Sequence, residues 1–233
     1  MAEYFSNLYK PLPDKNIILS TEEKEYISLV KQVESGKKNE SSFSFDQEIL
    51  LEVLALLPGK SRGSWDWSQE DRVSFVNKSL EDGYFINYIF GIQKQFISDS
   101  YFFVGVVDGS WSLKIFKAND DSYLVLAVDH VGDGNSFSTY TYKNGNLTKN
   151  KKEFYDLLPK GIFNSFYTNK DNCRKHYQDN YNALLDYTFN ENTIELYDYY
   201  AKNNKECFNY DTAILEFNKD LKTFELKETY WKK

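Results

Sequence analysis

Between Ser100 and Thr148 the chain breaks into short apolar runs separated by turn residues, a pattern that few architectures satisfy. The runs are Phe102–Val107, Trp111–Phe116, Tyr123–Val128 and Phe137–Tyr142, closed by Leu147. Between them stand Asp108-Gly109, Asn119-Asp120-Asp121, Gly132-Asp133-Gly134-Asn135 and Asn144-Gly145. Sequential strands joined by turns this short form an antiparallel meander. A two-residue hairpin turn of type I′ needs positive φ at both central positions, so Gly109 and Gly145 are expected there.

The first hundred residues carry a different period. Pro11 and Pro13 keep residues 1–19 extended. Ser20 with Glu23 is a capping-box pair ahead of Tyr26, Leu29, Val30 and Val33, one helical face that Gly36 stops. A polar connector, Gly36–Ser42, follows. Ser44 with Gln47 repeats the cap before Ile49, Leu50, Leu51, Val53, Leu54, Leu56 and Leu57, apolar nearly all round and therefore a buried helix ending at Pro58-Gly59. After the loop Lys60–Trp67, Ser68 caps a further helix with Glu70 and Asp71 in its first turn, an apolar face of Val73, Phe75, Val76 and Leu80, and a stop near Gly83. Tyr84–Phe96 suits strand and helix alike, and its length favours helix.

Beyond the meander, Lys152–Leu157 reads as a short helix before the break Pro159-Lys160-Gly161, and Asn169–Asp179 as a loop. Strands return at Leu184–Phe189, Thr193–Tyr199, Thr212–Phe217 and Thr223–Tyr230. The fold class is α+β, with N-terminal helices packed on a large antiparallel β-meander sheet. The mainly helical part is 1–99 and the sheet part 100–233, together one compact unit.

Charge narrows the partners. The chain carries a net charge of −7 and only three arginines, Arg62, Arg72 and Arg174, which argues against a nucleic-acid partner. No run approaches the roughly 20 apolar residues of a membrane span. The N-terminus lacks the apolar core of a signal peptide, which places the protein in the cytoplasm if Met1 is native. A removed export signal would instead place it in the cell envelope or periplasm.

Chemistry-bearing residues are sparse. Cys173, His176 and Cys207 could ligate a metal or pair as nucleophile and base, yet their spacing fits neither well. Reduced thiols are expected, in line with the cytoplasm, and a bridge between them would accord with export. Asp129, Asp133 and Asn135 have the oxygen-rich look of a calcium loop but not its ligand spacing, and a turn explains them. No metal and no cofactor is expected, and no GxSxG, P-loop, GxGxxG or HExxH pattern occurs. The 18% aromatic content is explained by strand and core positions, leaving a stacking surface as the alternative. Trp65, Asp66, Trp67 and Trp111 are the candidate binding residues. They point to a noncatalytic protein-binding module, a neutralising or adaptor protein of the immunity kind, acting on a basic protein partner. The alternatives are a secreted or envelope carbohydrate-binding protein of Gram-negative type with its export signal trimmed, and a hydrolase using Asp or Glu.

Overall fold

Helix α1, Phe45–Leu56, starts at the capping box that the sequence announces. Ser44 Oγ accepts the Gln47 N–H at 3.3 Å while the Ser44 N–H donates to Gln47 Oε1 at 2.8 Å. The computed structural model describes residues 43–59, 67–83, 94–106, 109–131, 134–168, 173 and 185–232, all within one compact unit, Ser41–Lys233. The expected helix after Ser20, the connector after Gly36 and most of Tyr84–Phe96 lie outside these residues. Leu57 ends α1 in extended conformation, as a residue before proline must. Helix α2, Gln69–Asp82, is capped by Ser68 and stopped by Gly83 at φ 73°.

The buried face of α2 differs from the expected one. Phe75 and Val76 are buried, but Val73 and Leu80 face solvent, and Arg72 and Ser79 take the inner positions. Arg72 is fully buried. Its Nε donates to the Leu54 carbonyl at 3.0 Å and one terminal nitrogen to that of Trp67 at 2.7 Å, while the other bonds the Leu57 carbonyl. Gln69 adds a bond to Ala55. The last carbonyls of α1 lack intrahelical donors, and a cation at that end also meets the favourable end of the helix dipole. One guanidinium thus fixes the angle between the helices.

The meander forms one six-stranded antiparallel sheet. Its strands are β1 Lys94–Ile97, β2 Tyr101–Val106, β3 Gly109–Lys117, β4 Tyr123–Val131, β5 Gly134–Lys143 and β6 Asn146–Lys149. Asn144 and Gly145, at φ 49° and 77°, make the expected type I′ turn. The β2–β3 hairpin is registered one residue earlier than expected: Gly109 pairs with Val106 inside the ladder, so the two linking residues are 107 and 108. Likewise Gly134 and Asn135 are strand residues, paired with Val131 and His130. The tail of Tyr84–Phe96 is strand rather than helix, because Lys94–Ile97 pairs with β2 and completes the sheet edge.

The later strands build a second sheet instead of extending the first. Strands β7 Asp186–Phe189, β8 Thr193–Tyr197, β9 Thr212–Asn218 and β10 Thr223–Tyr230 form a four-stranded antiparallel sheet. Trp111, Leu113, Ile115, Val125 and Ala127 pack on the two helices, while Phe116, Leu124, Leu126 and Val128 pack against Ile194, Leu196, Leu215 and Phe217 of the second sheet. Three layers result, helices on sheet on sheet. The expected helix at Lys152–Leu157 is a 3-10 turn, Phe154–Leu157, that seals the inter-sheet core with Phe154 and Leu157. The cysteines are not reduced: Cys173 and Cys207 form a disulfide, their α-carbons 5.3 Å apart, within bridging distance.

Replacing Arg72 by Leu leaves buried carbonyls without donors and should destabilise by about 3 kcal/mol or more, whereas exposed Val73→Ala should stay within about 0.5 kcal/mol. Urea unfolding of both variants reads the difference. Intact-mass analysis without reductant should find the chain two protons lighter than its thiol form. Substituting both cysteines by Ser should remove about 3–4 kcal/mol, the loop-closure value for 34 residues.

Candidate functional site

The cleft of interest opens where α1 meets one end of the six-stranded sheet. Register builds its floor: Lys117 pairs with Tyr123, and Tyr123 pairs with Tyr142, so three side chains form a row across β3, β4 and β5. Phe45 and Ile49 cover the row from the first turns of α1, and Asp121 and Asn144 close it from the turns. The cleft holds about 360 Å³. Phe45 is 64% exposed, high for an aromatic ring at a folded surface.

Two phenols fasten the helix to the sheet. Tyr123 donates to Asp46 at 2.8 Å, and Tyr142 to Glu52 at 2.6 Å. Burial pushes the Tyr142 hydroxyl up to about 12, and the bond to Glu52 adds to it. Tyr123 is raised further, again by burial first and then by Asp46. Both phenols are protonated donors near neutrality, suited to holding geometry rather than to proton transfer.

The turn between β3 and β4 divides its two carboxylates between structure and surface. Asp120 accepts from Ser122 Oγ at 2.6 Å, from Lys222 at 2.9 Å and from Lys143 at 3.4 Å. Those bonds, Ser122 foremost, hold its carboxyl far below the usual range. Asn119 also donates to Asp220 at 2.7 Å, so this turn is clipped to that of the second sheet. Asp121 stands at φ 58°, left-handed backbone rare outside glycine, and among the described residues its carboxylate accepts no hydrogen bond. The Lys117 ammonium lies 5.6 Å from the centre of the Phe45 ring.

The tryptophans expected to make contacts serve as core. Trp67 is 3% exposed, stacked on Phe102 and edge-on to Phe75, and Trp111 is fully buried against Phe102. An apolar ring between helices and sheet offers no surface, so both belong to the scaffold. Trp65 and Asp66 lie outside the described residues, as do His176 and Asp133. His130 donates from Nδ1 to Asn135 at 2.6 Å, and Asn135 donates to the Leu185 carbonyl, which explains Asn135 as a link between strands. Asp129 is a β4 residue paired with Trp111 and Ser136. The disulfide removes Cys173 and Cys207 as thiolates.

A second aromatic group lies beside the four-stranded sheet. Tyr197 and Tyr199 meet edge-to-face at 4.8 Å, the Lys232 ammonium sits 5.0 Å over Tyr197, and Lys232 also bonds Glu195 at 2.7 Å. Asp198 fixes the adjoining turn by accepting the N–H groups of Tyr200 and Ala201. Tyr199 and Tyr200 are more than half exposed.

Lys114 is a buried cation that sequence patterning missed. It sits on the β3 face turned toward the second sheet, 1% exposed, with its ammonium bonded to Ser100 and 5.0 Å from the Phe116 ring. Burial pushes its amine down to about 8, against the pull of Glu191 and Asp46.

No protein-family model matches the sequence, and no curated protein matches it. The structure is similar to a domain of an uncharacterized protein from Porphyromonas gingivalis W83, with a TM-score of 0.50 and 12% identity, over 77% of this chain and 98% of that one. That likeness shows the α+β fold alone. Among the described residues, no helix is long and apolar enough to cross a membrane.

Because Lys114 binds its proton more weakly folded than unfolded, its burial disfavours the fold below about pH 8, and that penalty fades as pH rises toward 10.5. Lys114→Met should therefore be more stable than the parent at pH 7, on the order of 2 kcal/mol. The advantage should shrink between pH 8 and 10, which paired urea titrations at fixed ionic strength will show.

Proposed function

We propose that this protein is a noncatalytic binding module that recognises a basic protein partner through the cleft between α1 and the sheet. The carrying observation is the composition of that cleft: exposed Phe45 and the Tyr123–Tyr142 row, with Asp46, Glu52 and Asp121 about them. Exposed Phe45 is the aromatic anchor that supplies affinity, over a floor of buried Tyr123 and Tyr142, and the surrounding carboxylates supply attraction and orientation. The net charge of −7 adds long-range steering, which fades as salt shortens the Debye length. The rigid tyrosine–carboxylate bonds favour recognition, since neither phenol has to move before a partner docks.

A second reading is an exported saccharide-binding protein. The Cys173–Cys207 bridge supports an oxidising compartment, envelope or periplasm, over the cytoplasm. Tyr197 and Tyr199, flanked by Glu195 and Lys232, have the aromatic and hydrogen-bonding character that sugar rings use.

The two readings separate in one set of measurements. A partner captured from native-source lysate, identified and purified, should reconstitute a complex whose association slows as salt rises from 50 to 300 mM, by roughly tenfold. Phe45→Ala should speed dissociation without changing the melting temperature. Binding on a glycan panel lost by Tyr199→Ala would favour the saccharide reading. Hydrolysis of a glycan or peptide panel, abolished by one Asp or Glu change, would overturn both.

A further inference from the structure

We infer that the cleft is a guanidinium site whose resting occupant is the chain's own Lys117, displaced from the Phe45 ring when an arginine of the partner enters. The inference rests on the protein-binding reading and names the group that reading leaves open. It begins with Phe45. An aromatic ring 64% exposed at the first position of a capped helix has little packing to justify it, yet a cation has already settled 5.6 Å from its centre. That cation comes from Lys117, the end residue of the row that continues to Tyr123 and Tyr142. The fold therefore shows what the cleft attracts.

Lys117 is held weakly. An exposed ammonium–aromatic contact is among the weaker attractions at a protein surface, and the long lysine stem can carry its charge into solvent. A guanidinium makes better use of the same walls. It is planar, less strongly hydrated than an ammonium, stacks flat on an aromatic face and offers paired donors to a carboxylate. Asp121 is the acceptor at hand. Its neighbour Asp120 is occupied by Ser122, Lys143 and Lys222, and Asp46 takes the Tyr123 hydroxyl. Asp121 accepts nothing among the described residues and lines the cleft from the β3–β4 turn, in left-handed backbone that Asp tolerates there. A volume of about 360 Å³ is at the small end for ligand sites and admits a long side chain with space to spare. Asp121 and Lys117 are the two charged residues of the lining, so the aspartate remains to receive a cationic guest once the lysine swings out.

The test titrates the full chain with acetyl-Gly-Arg-Gly-amide and its lysine counterpart, followed by amide NMR shifts, with melting curves to confirm that each variant folds. The arginine peptide should shift Phe45, Asp121, Tyr123 and Tyr142 and bind more tightly than the lysine peptide. Lys117→Met removes the internal competitor and should tighten arginine binding about 3- to 10-fold, while Asp121→Asn should weaken it by a similar factor. If a basic protein partner binds through the cleft but neither substitution changes arginine-peptide affinity, the guanidinium assignment falls and the protein-binding reading stands. If no cationic peptide or protein binds either the parent or Lys117→Met, both fall.

Discussion

The middle stretches of β3 and β4 have no face left for water, and the rest of the molecule is arranged to cover them. Trp111–Phe116 and Tyr123–Val128 are buried at every position. Alternate side chains serve different cores, one under the helices and one under the second sheet. A strand buried on both faces reads as a continuous apolar run, not as the alternation of a half-exposed sheet. A slip of one residue would exchange the two sets, sending Trp111 into the inter-sheet core and Phe116 under the helices. Lys114 is the exception that the arrangement absorbs. Its stem packs like an aliphatic chain, while its ammonium finds Ser100 and the Phe116 ring.

Local signals in the sequence were reliable where a single residue type decides the conformation. Ser44 with Gln47, Ser68, Gly83 and Asn144-Gly145 all act where short-range chemistry places them. Asp108-Gly109 misled because Asp-Gly is a strong turn signal, whereas the ladder to β4 draws Gly109 into pairing with Val131. On α2, hydrophobicity selected Val73 and Leu80, but the inner position facing α1 went to Arg72, whose donors satisfy the Leu54 and Leu57 carbonyls, 18 and 15 residues earlier in the chain. Splitting the strands into two sheets was likewise not legible, since a run such as Thr212–Phe217 fits an extended sheet or a second layer equally well. The disulfide depends on the same long-range placement: it needs Cys207 carried beside Cys173 by the pairing of Tyr167 with Phe208.

The site was harder to read than the fold because it consists of ordinary residues made unusual by register. Tyr123 and Tyr142 look like strand formers, and they are, with both rings also in the helix-side core. Only the cross-strand register sets them beside Lys117, and only the α1 angle brings Asp46 and Glu52 to their hydroxyls. Tryptophan, the residue that composition recommends for contacts, was spent on the interior at 67 and 111. The available clue was Phe45, a large apolar residue directly after an N-cap and off the buried stripe of Leu50, Leu51 and Leu54.

The β3–β4 turn gives its two neighbouring carboxylates opposite surroundings. Asp120 draws Ser122, Lys143 and Lys222 to itself, and its exposed ion pairs contribute little energy singly. What they supply is position: with the Asn119–Asp220 bond they tie this turn to the second sheet. A turn so tied can keep Asp121 in left-handed backbone, which costs an L-residue roughly 1–2 kcal/mol and would relax if the segment were free. Asn or Gly at 121 would satisfy that backbone at least as well, so backbone preference does not explain the aspartate. What the aspartate adds is a charge on the cleft lining, beside Asp46 and Glu52, which tyrosine hydroxyls engage. The saturated member of the pair anchors the loop, and the unsaturated one is the acceptor on which the proposed guanidinium site depends.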